Sequence, residues 1–302
     1  MSRVFVAPIS LGLGDLVVSL PAVQAVVAGN RDGAHETWLV ARSAAQAALA
    51  ERIQGLAGSV DEALFDAARC EGRFINLRDH PLQRDYWWGS PEFDAAYGPI
   101  LINDILRQIC VDFGIDADFS RPVPLRASRR SDLRDVVLLV TESDGPTKRW
   151  AVERWAAVAE WVRETGREAR GVVRSAANPA LRELGLAEIV APTPGAAVDV
   201  LNSSAAVVGI DTGLTHIAVQ QGTPTVMLCR DRPVYFRRWS HARVVVGDAC
   251  ADLCVERERE RAYNASVRLD GFRPPVRECQ LGTPCLDSIT PERVVAALEE
   301  LA

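Results

Sequence analysis

Lysine is almost absent from this chain. Lys148 is the only lysine among its 34 lysine and arginine residues. Such a strong preference for arginine indicates a lysine kept for its shape, a compact charge on a flexible stem that reaches a phosphate. Chance retention is the alternative. Lys148 is therefore a candidate ligand-binding residue.

An excess of positive charge and long apolar runs are also lacking. The net charge of −6 argues against nucleic acid as the main partner, because binding a phosphate backbone requires a basic face. Arg237 and Arg238 form only a local basic cluster, as do residues 126–130. The amino-terminal apolar run covers residues 4–9, far short of a bilayer span. We expect a cytoplasmic protein without a transmembrane segment.

Cysteine is present at seven positions, and four of these fall in one loop-rich stretch: Cys250, Cys254, Cys279 and Cys285. A disulfide framework is not expected in a cytoplasmic chain. The spacing of the four is wider than the pairs typical of zinc sites. The sequence therefore favours free thiols or a local disulfide here and no metal, with a metal site as the alternative.

The 302 residues are enough for two hydrophobic cores. Strand and helix patterns alternate along both halves, which favours parallel βαβ units. The predicted strands are residues 4–9, 36–41, 72–77, 136–141, 168–174, 205–210 and 225–228, and the predicted helices include 16–27, 43–56, 100–113 and 291–301. Residues 114–135, which contain two prolines and scattered charges, are predicted to link two domains.

The most informative junction between a strand and a helix lies in residues 207–218. An apolar strand runs into a turn of Asp211, Thr212 and Gly213, and a helix opens at once. Such a turn leaves unpaired N–H groups and a positive helix end pointing to one place, which suits a phosphate. Simple capping of the helix by Asp211 or Thr212 is the alternative.

Two further junctions have the same form. Lys148 follows the strand pattern of residues 136–141, at the end of the strand where open α/β sheets bind ligands. Residues 10–15 form a turn after the first strand, in which Gly12 and Gly14 allow close approach of the backbone to a ligand. Asp15 would project toward that ligand, although aspartate is also a common helix starter.

Together these stretches resemble glycosyltransferase family 9, the ADP-heptose:acceptor heptosyltransferases and their relatives. The matching motifs are residues 12–15 with 20–22, residues 148–155 and residues 211–216, and residues 286–294 resemble the closing helix of the family. The resemblance implies an α/β fold of the GT-B architecture, with two Rossmann-like domains facing a cleft. We expect an acceptor-side domain at 1–126, a nucleotide-sugar-binding domain at 127–289, and a carboxyl-terminal helix at 290–302 crossing back to the first domain.

The resemblance also implies the reaction and the residues that carry it. The expected enzyme is inverting, needs no metal or cofactor, and moves a sugar from a nucleotide diphosphate, most simply heptose from ADP-heptose, to a hydroxyl of a glycan or small molecule. Asp15 is the expected base, and Lys148 is expected at the diphosphate. The expected substrate-binding residues are Gly12, Gly14, Asp211, Thr212, Gly213, Leu214 and His216.

Departures from the family pattern leave the donor open. Relatives often place a glutamate for the donor ribose where this chain has Ser175 and the residues after it. A transferase using another nucleotide sugar is therefore an alternative, and so is a non-catalytic binding protein, against which the retention of Asp15 argues. An NAD-binding fingerprint does not fit, because Val17 stands at the position of its last glycine.

Overall fold

The computed structural model describes residues 2–29, 35–84, 88, 91–143, 148–175, 179–183, 185–230, 233–248 and 284–301. The described chain divides into two compact units, one with the residues up to Arg126 and the other with those from Ala127 on. Each unit is built on one parallel sheet with helices packed against it.

The first unit has a four-stranded sheet in the order β3-β2-β1-β4. Its strands are β1 (Ser2–Ala7), β2 (His35–Ala41), β3 (Gly58–Asp61) and β4 (Arg73–Asn76), and its helices are α1 (Leu13–Ala28), α2 (Ala44–Ala50), α3 (Pro81–Arg84), α4 (Pro91–Tyr97) and α5 (Ile102–Asp112). Val6 of the central strand pairs with Leu39 on one side and Ile75 on the other, and all three are buried. Strands of a parallel sheet covered by helices are apolar on both faces, which explains these short apolar runs.

The second unit has a six-stranded parallel sheet in the order β10-β9-β8-β5-β6-β7. Its strands are β5 (Val136–Val140), β6 (Glu168–Val173), β7 (Ala187–Val190), β8 (Ala206–Ile210), β9 (Thr225–Cys229) and β10 (Ala242–Val246). Its helices are α6 (Val152–Glu164), α7 (Pro179–Glu183), α8 (Pro194–Leu201), α9 (Gly213–Gln221), α10 (Pro284–Asp287) and α11 (Pro291–Glu299). The three central strands, β5, β8 and β9, are buried along their whole length.

The carboxyl-terminal helix α11 belongs to the core of the second unit. Val294 and Leu298 are buried in one cluster with Trp155 of α6 and Val245 of β10. Its amphipathic pattern is accounted for by this packing. The crossing of this helix to the first domain stays a prediction, as do the substrates assigned to the two domains.

Several element boundaries differ from the sequence-based prediction. Three strands, β3, β7 and β10, were not predicted, since each is a partly buried edge strand without a continuous buried apolar run. Helix α1 begins at Leu13 instead of residue 16, so Gly14 and Asp15 lie inside its first turn. Helix α2 ends at Ala50, not at residue 56, and Gly55 in the following turns has a φ of 74°, which suits glycine.

Two further expectations from the sequence concern a membrane-spanning helix and the clustered cysteines. Within the described part of the chain, no helix is both long enough and apolar enough to cross a bilayer. Of the four clustered cysteines, Cys285 is buried. Cys250, Cys254 and Cys279 lie outside the described residues.

Candidate functional site

The junction of β8 and α9 is built by close packing of the helix on its own strand. A Cβ atom added to Gly209 of β8 would lie 2.3 Å from Oγ1 of Thr215 and 2.9 Å from Cβ of Val140. The absence of a side chain at residue 209 therefore lets the first turn of α9 approach the sheet. The Thr215 hydroxyl fixes this approach by donating to the Ile210 carbonyl at 2.6 Å. The turn between Ile210 and Gly213 is held in one conformation.

Asp211, the first residue after β8, is held from two sides. Its Oδ2 lies 2.9 Å from Nζ of Lys148, and its Oδ1 lies 2.9 Å from Nε2 of His216. The Lys148 ammonium also donates to the main-chain oxygen of Asp211 at 2.9 Å. Burial alone would raise the pKa of Asp211, but the Lys148 charge and the His216 hydrogen bond hold that pKa well below its usual range. Asp211 is thus ionised.

Arg237 determines the protonation of His216. Its guanidinium lies 3.3 Å from Nδ1 of His216 and donates to the His216 carbonyl at 3.0 Å. A guanidinium has only donors, so Nδ1 must accept and Nε2 must carry the proton donated to Asp211. Burial lowers the pKa of His216, and the nearby Arg237 charge acts in the same direction. His216 is therefore neutral, with its tautomer fixed.

Arg237 itself is buried, with only 1% of its surface exposed. Burial lowers its pKa to about 9, which leaves it cationic near neutral pH. Its guanidinium lies over the ring of Trp239, 5.3 Å from the centroid, so part of the charge is stabilised by the aromatic face. Lys148 and Arg237 together outweigh Asp211 by one positive charge.

The first turn of α9 offers free hydrogen-bond donors beside these charges. Thr212 is the N-cap residue but makes no side-chain capping bond. No described residue accepts from the N–H groups of Gly213 and Leu214. The start of a helix also carries partial positive charge. The N–H groups, the helix end and Lys148 form an anion-binding arrangement.

Lys148 is positioned by the residues that follow it. The indole N–H of Trp150 donates to the Ile289 carbonyl at 3.1 Å, and Arg154 donates to the carbonyls of Asp287 and Ile289. Trp150 and Trp155 contact each other edge to face, with ring centroids 4.9 Å apart. The tryptophans of this motif are therefore core residues that anchor the segment, while the Lys148 side chain remains 34% exposed.

Asp15 lies in the first unit, at the third position of α1. Its carboxylate accepts the N–H of Gly12 at 2.8 Å, and it is half-buried. A Cβ atom at residue 12 would lie 2.8 Å from the same carboxylate oxygen, so a side chain here would displace the Asp15 carboxylate. Gln46 holds the turn from the other side by donating to the carbonyls of Ser10 and Gly12, each at 2.9 Å. Asp15 is thus a carboxylate on a rigid turn.

The structure brings five of the sequence-predicted residues together: Lys148, Asp211, Thr212, Gly213 and His216, with Leu214 in the same helical turn. Asp15, Gly12 and Gly14 lie together on the other unit. Arg237 was seen in the sequence only as part of a basic pair. The one signal that could have distinguished it is its position among apolar and aromatic residues, from Val234 to Trp239.

Comparison with known proteins decides the family. The sequence model of glycosyltransferase family 9 (heptosyltransferase) matches residues 111–263, half of the chain. The chain belongs to glycosyltransferase family 9. As a family 9 member it is a glycosyltransferase, and the resemblance noted in the sequence is confirmed. No curated protein matches the chain significantly by sequence.

Three solved structures show that the whole chain has the fold of this family. A family 9 glycosyltransferase from Veillonella parvula DSM 2008 is 16% identical, with a TM-score of 0.66 over 99% of this chain and 97% of that one. The ADP-heptose LPS heptosyltransferase II of E. coli is 17% identical, with a TM-score of 0.61 over 100% and 98%. TibC, an iron-containing dodecameric glycosyltransferase of enterotoxigenic E. coli H10407, is 16% identical, with a TM-score of 0.64 over 99% and 76%. The predicted α/β fold of the GT-B class is confirmed.

The Arg237 geometry predicts that His216 stays neutral at pH 6, where an unperturbed histidine, with a pKa of about 6.5, is mostly cationic. Since its folded pKa is lowered, the unfolded chain takes up a proton first, and stability falls as the pH drops below about 6.5. Nitrogen-15 NMR of labelled histidine measures both charge and tautomer. A His216 ring that titrates near 6.5, or that is protonated on Nδ1, contradicts the assignment.

Replacing Arg237 with Met removes the only donor to Nδ1 of His216 among the described residues. We expect Arg237→Met to release the fixed tautomer and to lower the free energy of unfolding by about 1–3 kcal/mol, because buried acceptors lose their partner. Arg238→Met is the matched control, since Arg238 is the exposed neighbour. Equal effects of the two substitutions on the tautomer would dismiss the role of Arg237.

Proposed function

We propose that this protein is an inverting, metal-independent heptosyltransferase that transfers heptose from ADP-heptose to an acceptor hydroxyl. The observation that carries the proposal is the group formed by Lys148, Asp211 and the start of α9. Nζ of Lys148 contacts both the carboxylate and the carbonyl of Asp211, next to the unpaired N–H groups of Gly213 and Leu214. A diphosphate is the ligand class that matches one lysine and a helix start.

The leaving group is stabilised by this arrangement. In the transfer, the acceptor oxygen forms a bond to the anomeric carbon, and the bond from that carbon to the diphosphate breaks. The electron pair departs with ADP, whose added negative charge Lys148 and the N–H groups of α9 stabilise. The positive charge that a metal supplies in other transferases is thus provided by the chain itself.

Asp15 is the proposed base. It accepts the proton of the acceptor hydroxyl as the new bond forms, while Gly12 continues to donate to one of its oxygens. Asp211 and His216 hold the turn before α9, with Arg237 as their support. Inversion is what the family resemblance implies for direct attack by the acceptor. The proposed reaction takes place in the cytoplasm, as the sequence suggests.

A panel of ADP-, UDP- and GDP-sugars, scored by thermal shift, tests the donor. We expect ADP-heptose to stabilise the fold most, because a ligand at about 100 times its Kd adds roughly 2.7 kcal/mol. Stronger stabilisation by a UDP- or GDP-sugar would contradict the assignment of ADP-heptose as the donor. It would favour the second candidate, a transferase that uses another nucleotide sugar. The specific reason to keep that candidate is Ser175, an exposed residue where relatives often have a ribose-binding glutamate.

Replacing Lys148 tests the diphosphate site. We expect Lys148→Ala to weaken donor binding about tenfold to a hundredfold, because a hydrogen bond to a charged group is lost. Lys148→Arg should restore affinity only in part, since guanidinium and ammonium differ in shape and hydration. Calorimetry with the nucleotide sugar gives the affinities, and Arg149→Ala, at the exposed neighbouring position, is the control. Unchanged affinity in both Lys148 variants would leave this residue a purely structural role.

Asp15→Asn separates catalysis from binding. The amide keeps an oxygen for the Gly12 N–H but cannot take a proton, so we expect transfer to slow by about a hundredfold to ten-thousandfold. Donor affinity should stay close to that of the unsubstituted protein. Asp104→Asn, on the exposed face of α5, controls for the loss of one charge. Near-normal turnover by the Asp15 variant would refute the assignment.

A further inference from the structure

The turn that carries Asp15 is held by side chains from other parts of the first unit. The main-chain carbonyls of four successive residues, 9–12, each accept a hydrogen bond from such a side chain. The donors are Gln83 to Ile9 at 3.1 Å, Gln46 to Ser10 and to Gly12 at 2.9 Å each, and Ser43 to Leu11 at 3.2 Å. The direction of every carbonyl in the turn is thus set by a side chain distant in sequence.

Gln46 makes two of these four contacts and uses both ends of its amide. Its side chain is fully buried in the first turn of α2. Oε1 accepts the main-chain N–H of Arg42 at 3.0 Å, and Nε2 donates to the carbonyls of Ser10 and Gly12. An amide nitrogen carries only two hydrogens, so both are committed to the turn. Gln46 is therefore held in one orientation.

The carbonyl contacts also determine where the N–H groups of the turn point. In a planar trans peptide, the carbonyl and the N–H of the next residue point in opposite directions. The Leu11 carbonyl is directed to Ser43, so the Gly12 N–H points to the other side, where the Asp15 carboxylate accepts it at 2.8 Å. Gln46 fixes the peptides before and after this one. The carboxylate of Asp15 is thus oriented by a side chain behind the turn.

The main chain of Asp15 is fixed as well. The hydroxyl of Ser19, which is fully buried, donates to the Asp15 carbonyl at 2.7 Å and accepts the N–H of Ile9 at 3.5 Å. The start of α1 is thereby tied to the start of the turn. With both ends fixed, the remaining freedom of the Asp15 carboxylate depends on the peptide of Gly12, whose carbonyl Gln46 holds.

We propose that Gln46 is a positioning residue for the transfer reaction. By fixing the peptides of residues 10–12, it holds the Asp15 carboxylate at the place where the acceptor hydroxyl gives up its proton. A general base must lie within hydrogen-bond distance of that proton, and a displacement of about 1 Å can slow a reaction about a hundredfold. This inference rests on the proposed role of Asp15 as the base. It predicts an effect on turnover without an effect on donor affinity.

Gln46→Met tests the role, because methionine keeps the length of the side chain and has no N–H donor. We expect kcat to fall about tenfold to a hundredfold. Turnover is measured as ADP released from ADP-heptose with water as the acceptor, and calorimetry with ADP should show unchanged affinity. If Gln46→Met does not fold, Gln46→Asn, with a shorter amide, is measured instead. An unchanged kcat in the folded variant would overturn the proposal.

NMR measures the same contact without turnover. In the unsubstituted protein, the amide proton of Gly12 should shift as the Asp15 carboxylate titrates, because the two share a hydrogen bond. In Gln46→Met this dependence on pH should be reduced or lost. A Gly12 amide that responds to pH equally in both proteins would show that Gln46 does not orient the carboxylate.

A double substitution separates positioning from a general loss of stability. If Gln46 acts through Asp15, Gln46→Met should add little to the loss of kcat caused by Asp15→Asn, whereas independent effects multiply. Asn103→Ala is the matched control, because Asn103 lies in the same unit and its amide donates to the Phe119 carbonyl instead of to the turn. It should lower the melting temperature and leave kcat unchanged. Multiplied losses in the double variant, or an equal loss of kcat in the control, would contradict the positioning role.

The same variants distinguish this proposal from the assignment of the base. Near-normal turnover of Asp15→Asn would refute Asp15 as the base, and the role of Gln46 in catalysis with it. Slow turnover of Asp15→Asn together with normal turnover of Gln46→Met would overturn the role of Gln46 alone.

Discussion

The ion pair between Lys148 and Asp211 is the interaction on which the candidate site of the second unit depends. Lys148 follows β5 and Asp211 follows β8, and these strands are neighbours in the sheet, with Val140 paired to Gly209. The ammonium binds the Asp211 carboxylate and also its main-chain oxygen, so it fixes a charge and the path of the loop together. Without it, burial would push the Asp211 carboxyl toward its neutral form, and His216 would lose an ionised partner.

The pair of Lys148 and Asp211 is supported by His216, which is supported in turn by Arg237. The His216 ring donates to the second carboxylate oxygen of Asp211, and Arg237 donates to both Nδ1 and the carbonyl of His216. Each member has its hydrogen-bonding role fixed by the next, since arginine only donates and an ionised carboxylate only accepts. Such an arrangement cannot reorganise one residue at a time. It gives a preformed environment of defined charge, which suits the stabilisation of a departing diphosphate proposed above.

Much of this could be predicted from local sequence pattern. The apolar runs of residues 136–141 and 205–210 predicted strands, and parallel strands have their carboxyl ends at one edge of the sheet. The sequence therefore predicted that Lys148 and the turn of Asp211 lie at the same ligand-binding edge. The strands β3, β7 and β10 could not be predicted, because they are partly buried edge strands without the continuous buried run of β5, β8 and β9. The role of Arg237 is set by His216, a partner 21 residues away, and no local pattern encodes that contact.

The contact between Trp150 and the Ile289 carbonyl joins residues 139 positions apart. Lys148 stands two residues before Trp150, so the segment that presents the lysine is held in place by a distant part of the chain. Contacts of such high sequence separation form late, after most of the loop entropy has been lost. The lysine is thus held in place only once residues 148–155 have packed against the segment of Ile289, so its position reports on the folding of the second unit as a whole.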